Sequence, residues 1–120
     1  MPSRDPAAEM RYFGEALGAE IVFAIEAFDT RVAMIQLGEE SPPLLLAGHL
    51  DGERPILVYR VDDLDAAIAE LRDGGCDVTG PFGIPHGPCA EVTAAGGHRL
   101  AIYELTRPEA GERLAGRRDF

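Results

Sequence analysis

The chain repeats itself, and that repeat restricts the folds open to it. Gly18-Ala19-Glu20-Ile21-Val22 reads again as Gly75-Cys76-Asp77-Val78-Thr79, and at the same offset Val32 to Leu46 align without a gap on Cys89 to Tyr103. Each copy places a helical stretch first and three strand-like stretches after it. In a duplicated unit, equivalent positions of the two halves can converge on one cavity. The residues standing at paired positions therefore carry the functional question.

Local signals delimit the elements. Residues 6–17 read as a helix, with Asp5 as N-cap, Pro6 at the first helical position and Gly18 as the stop. Met10, Phe13, Gly14 and Leu17 form its inward stripe. Strands follow over 21–28, 31–37 and 44–47, with Pro42-Pro43 in the loop between the last two. Gly48 to Arg54 is a polar connector. The second half begins with a strand over 56–61, then a helix over 64–73 capped by Asp62-Asp63 and stopped by Gly74-Gly75. A short strand over 76–79 precedes a loop over 80–88, and strands over 89–94 and 99–105 complete the unit. The tail, 106–120, holds Pro, Gly and mixed charges with weak periodicity and reads as frayed or docked on a partner. The first half lacks an opening strand; Met1 to Arg4 is at most a stub of one. Pro42-Pro43 and the glycines of the connector leave no room for the helix that a ferredoxin-like βαββαβ order would need there.

The order of elements, together with several short segments, resembles the vicinal oxygen chelate superfamily of glyoxalases, extradiol dioxygenases and bleomycin- and fosfomycin-resistance proteins. The resemblance spans roughly 5–105. It rests on Tyr12-Phe13-Gly14-Glu15-Ala16-Leu17-Gly18-Ala19-Glu20, Val61-Asp62-Asp63-Leu64-Asp65-Ala66-Ala67, Gly80-Pro81-Phe82, Pro85-His86-Gly87 and Ala94-Ala95-Gly96-Gly97-His98-Arg99-Leu100. It implies an α+β fold of two tandem βαβββ modules forming a curved mixed sheet, with the first strand of module 1 truncated. Module 1 covers about 1–47, the connector 48–54, module 2 about 55–105 and the tail 106–120.

The resemblance also implies a divalent metal held by a His or carboxamide on each module's first strand and a Glu on each last strand. Those positions hold Ala101 and its counterpart in the gapless alignment, Leu44; Pro55 or Ile56; and a place preceding Met1. None offers a donor atom. The expected cofactor is therefore none, with a divalent metal only under an alternative set of ligands such as His86 with Glu91 or Glu104. His49 in the connector and His98 in the last turn read as solvated or turn-stabilising. Without metal ligands, the inner sheet face is left apolar, either as a cavity for a flat small molecule or as the filled core of a closed sheet. Its candidate lining is Leu44, Leu46, Ile56, Val58, Arg60, His86, Ala101 and Tyr103, with Arg60, Tyr103 or His86 fixing orientation.

Charge narrows the partners. With 21 acidic and 11 basic residues the formal net charge is −10, which argues against nucleic acid. The ligand expected is aromatic or cationic. No apolar run approaches the length of a membrane span and the first residues do not resemble a signal peptide, so the expected location is the cytoplasm. Two cysteines, Cys76 and Cys89, without Cys-x-x-Cys spacing read as small buried hydrophobes. The truncated first strand leaves an edge that a second copy would cover, so a homodimer is expected. The sum is a metal-independent binding protein, with a divergent metal-dependent lyase, isomerase or dioxygenase and a non-catalytic dimerisation module as the alternatives.

Overall fold

Asp caps and glycine turns set the helices where the sequence signals them. The computed structural model describes all 120 residues, Met1–Phe120. It divides into two units, Met1–Arg54 with Arg113–Phe120, and Pro55–Glu112. In the first, α1 (Pro6–Leu17) opens on Asp5, whose carboxylate accepts from the Ala8 N–H at 3.0 Å, and closes on Gly18 at φ 66°. A cap of this kind contributes about 1 kcal/mol. Three antiparallel strands follow in the order β1 (Glu20–Ala27), β2 (Thr30–Gln36) and β3 (Leu44–Ala47). Met10 of α1 packs on Ala24, Ala33, Ile35 and Leu46, with Phe13 and Leu44 at the margin. Leu17, expected on the inward stripe, is exposed; past the turn at Gly18 it is Ala19 that enters the core.

The opening strand of this unit survives as a stub on β3. The Met1 ammonium donates to the Leu45 carbonyl at 2.6 Å, the Ala47 N–H donates to the Met1 carbonyl, and the Ser3 N–H donates to the Ala47 carbonyl. Pro2 is tolerated because the bonds to β3 are made by its two neighbours, so its missing N–H is not called upon.

The tail departs from the sequence reading. Instead of fraying, its end lies parallel along β1 of its own chain. The Gly116 N–H donates to the Val22 carbonyl and the Ala24 N–H to the Arg117 carbonyl, both at 2.8 Å. Glu26 N–H donates to the Asp119 carboxylate at 2.9 Å. Phe120 packs against the core with the Arg31 guanidinium 5.2 Å from its ring centroid. The tail thus covers the edge that β1 would otherwise present.

The second unit is the fuller copy. Its sheet runs β4 (Leu57–Val61), β7 (Arg99–Glu104), β6 (Gly87–Thr93), β5 (Asp77–Ile84), with β4 parallel to β7 and the rest antiparallel. Helix α2 (Leu64–Asp73), capped by Asp63 on the Ala66 N–H, buries Leu64 and Ile68 on Val78, Ala90, Val92 and Ile102. The loop expected over 80–88 is instead strand. β5 continues through Pro81 to Ile84 and turns tightly into β6, with the register shifting between Thr79 and Phe82. Proline is compatible here because β5 is the outermost strand. The turn is held by the chain that leaves β7. The Thr106 and Arg107 N–H groups donate to the His86 carbonyl, and the Arg107 guanidinium donates to the Ile84 and Pro85 carbonyls. Gly87 makes this approach possible, since a Cβ there would stand 2.1 Å from the Glu104 carbonyl oxygen. The last helix, α3 (Glu109–Leu114), contains the division between the units.

The two copies match element for element, but the gapless alignment does not hold throughout. It sets Asp5 opposite Asp62, yet the residue that caps α2 is the next one, Asp63. Glu20 and Asp77 open β1 and β5 in step with it. In the last strand it fails again, in the opposite sense. Ala33 pairs with Leu46 and Ile35 with Leu44, whereas their equivalents Ala90 and Val92 pair with Ile102 and Leu100. The structural partner of Ala101 is therefore Leu45 and not Leu44.

Candidate functional site

A one-residue slip reverses the face of a strand, because side chains alternate. Leu44 and Leu46, expected on the inner face, point to α1 instead: Leu46 is fully buried in the helix-side cluster and Leu44 packs against it. The residues of β3 on the helix-free face are Ala47, which is buried, and Leu45, which is 37% exposed. Sequence alignment missed it because three consecutive leucines carry no alternation. In the first unit that face also carries Phe23, Ile25, Val32 and Met34, paired across β1 and β2, and is wholly apolar at those places.

The helix-free face of the second unit is different in chemistry. Strand register arranges it in rows. Val58, Ala101, Glu91 and Thr79 form one, and Arg60, Tyr103, Cys89 and Phe82 form the next. Strand neighbours in a row stand about 4.8 Å apart and successive rows about 6.7 Å. So Val58, Arg60, Ala101 and Tyr103 come together on one surface. Ile56, half-buried, lies just before β4. His86, in the β5–β6 turn, sets its ring edge-on to Tyr103 with centroids 6.4 Å apart. Leu44 and Leu46 belong to the other unit and to its core.

Charges on this surface are unequal in their compensation. Glu91 is paired with Arg99 at 2.7 Å, both about one-third exposed. Arg60 is exposed and enters none of the ion pairs. Burial pushes the Cys89 thiol up, so it is not a ready nucleophile. It is a packing residue, in line with its sequence reading, and both cysteines are free.

A metal does not fit the residues present. With the corrected register, the two last-strand positions that the family resemblance assigns to Glu ligands hold Leu45 and Ala101, which have no donor atoms. The alternative set is not brought together either. Glu91 is engaged by Arg99, Glu104 alternates to the face opposite Ala101, and His86 lies in the turn. No group of three or more His, Cys, Asp or Glu side chains forms a cluster that could hold an ion. His49 is exposed in the connector, and His98 is exposed beside the 3₁₀ turn Ala95–Gly97, where its carbonyl accepts from the Ala94 N–H. No helix is long and apolar enough to cross a membrane.

No protein-family model matches the chain, and none of the curated proteins does. Solved structures do. The methylmalonyl-CoA epimerase of Mycobacterium tuberculosis superposes with a TM-score of 0.72 at 21% identity, over 91% of this chain and 86% of that one. A second methylmalonyl-CoA epimerase gives 0.69 at 16% identity, over 88% and 91%. A hypothetical protein of Bacillus halodurans gives 0.68 at 13%, over 88% and 90%. At these identities the likeness is one of fold.

Proposed function

We propose, from the vicinal oxygen chelate fold that this chain adopts, that it is a metal-independent small-molecule binding protein, one that sequesters or carries an aromatic compound. The observation that carries this reading is the pair Leu45 and Ala101, apolar residues at the structurally equivalent last-strand positions of the two modules. Carboxylates there would bind an ion; aliphatic side chains there give each helix-free face an apolar floor instead. Val58 extends the floor around Ala101, and Tyr103 with Arg60 beside it gives a ring face and a fixed charge for orientation. Assembly as a homodimer belongs to the same reading. β4 is an outermost strand with Leu57, Val58 and Tyr59 each more than half exposed, an edge that a second copy would cover.

The test is a titration of purified protein with 8-anilinonaphthalene-1-sulfonate, with and without a chelator, alongside elemental analysis and sedimentation. Saturable binding of the dye, unchanged by chelation and without stoichiometric metal, is the expected result. Stoichiometric divalent metal whose removal abolishes binding or turnover would overturn the reading.

A further inference from the structure

We infer that the ligand of the second unit's helix-free face is a planar aromatic carboxylate, an inference that rests on the binding role proposed above. Two observations lead to it. Arg60 is the exposed cation at the end of the row Arg60–Tyr103–Cys89–Phe82, and no carboxylate on that face neutralises it. Glu91, the nearest acidic side chain within the two rows, is two strands and one row away and already bound to Arg99. A guanidinium presents two parallel donors that match a carboxylate, and its neighbour Tyr103 offers a ring on which a flat body can lie. Val58, 56% exposed, and Ala101 complete an apolar strip one row away, about the length of a fused bicyclic ring.

The net charge of −10 points the other way, toward a cation. The two effects act over different ranges. At about 0.15 M salt the Debye length is about 8 Å, so the distributed surface charge is largely screened during approach. A contact pair at Arg60 is screened much less. The local cation therefore decides which ligand is retained, while the global charge slows arrival at low salt.

The experiment compares 2-naphthoate, 2-naphthol and 2-naphthylmethylammonium by NMR titration at about 0.15 M salt, on the intact chain and on Arg60→Gln. The expected outcome is a preference of about tenfold or more for naphthoate over the ammonium compound. Shifts should centre on Val58, Ala101 and Tyr103, and Arg60→Gln should abolish the preference while naphthol binding persists. Arg60 is exposed, so the variant is expected to fold, and its amide spectrum verifies that. Equal or tighter binding of the ammonium compound, or a preference that survives Arg60→Gln, overturns the carboxylate inference and leaves the binding role standing. Failure of all three compounds to bind overturns both.

Discussion

The face reversal of β3 can be tested by alanine at two adjacent leucines. Leu46 is fully buried against Met10, Ala33 and Ile35, whereas Leu45 is 37% exposed on the other side of the strand. Leu46→Ala removes three carbon groups from a closed environment. At roughly 0.8 kcal/mol per group the transfer loss is about 2.4 kcal/mol, and the residual cavity raises it to about 3–4 kcal/mol. Leu45→Ala loses only the buried fraction of that transfer, about 1.5 kcal/mol, with no closed cavity because solvent reaches the site. The difference, about 2 kcal/mol, corresponds to roughly 1 M in urea midpoint for a chain of this size. Urea titrations followed by far-UV circular dichroism, with slopes compared to exclude a changed denatured state, measure it. The gapless alignment of the two halves predicts the reverse order, with Leu45 packed under α1. Equal midpoints, or a lower midpoint for Leu45→Ala, would refute the structural equivalence of Leu45 and Ala101.

Gly87→Ala should destabilise by several kcal/mol or prevent folding, because its Cβ would meet the Glu104 carbonyl at 2.1 Å and its φ is +149°. Gly83→Ala, with open space around the added carbon, should leave the melting temperature within a few degrees. The tail latch should be pH-dependent. The Arg117 side chain, and then the Glu26 N–H, hold the Asp119 carboxyl below its ordinary value of 3.8. A depressed carboxylate contributes fully above its unfolded value and loses its effect as pH falls through the folded one. Protection of the Ala24 and Glu26 amides from hydrogen exchange should therefore hold from neutral pH down to about 3.8 and fall only below it. Asp119→Asn should remove that dependence, and loss of protection already near neutral pH would contradict it.

Much of the fold was legible because its signals are local. The caps Asp5 and Asp63 and the stops at Gly18 and Gly74 place both helices where the structure has them. What escaped the sequence depends on partners distant along the chain. Pro81 looks like a breaker, and only its place on the outermost strand makes it acceptable. Gly87 looks like one glycine among 14 until Glu104 and Thr106 approach it. The end of the tail has no alternation to read, because it docks through backbone groups onto β1. At the candidate site, Val58, Arg60, Ala101 and Tyr103 fell on one face because strand alternation is unambiguous there. Leu44 to Leu46 offered none, so a one-residue slip decided their orientation unseen.

That slip bears on whether the halves remain exchangeable parts. Asp5 answers to Asp63, Glu20 to Asp77 and Leu45 to Ala101, so the junctions between these elements differ by a residue from one half to the other. A chimera that cut β7 into the place of β3 by the linear alignment would turn the strand over. Ala101 and Tyr103 would be buried under α1, with Leu100 and Ile102 outside in their stead. The same transplant with Leu100 in the place of Leu44 would keep both faces. The halves share an architecture but are no longer interchangeable cassettes, and any recombination between them has to follow the hydrogen-bond ladder instead of the letters.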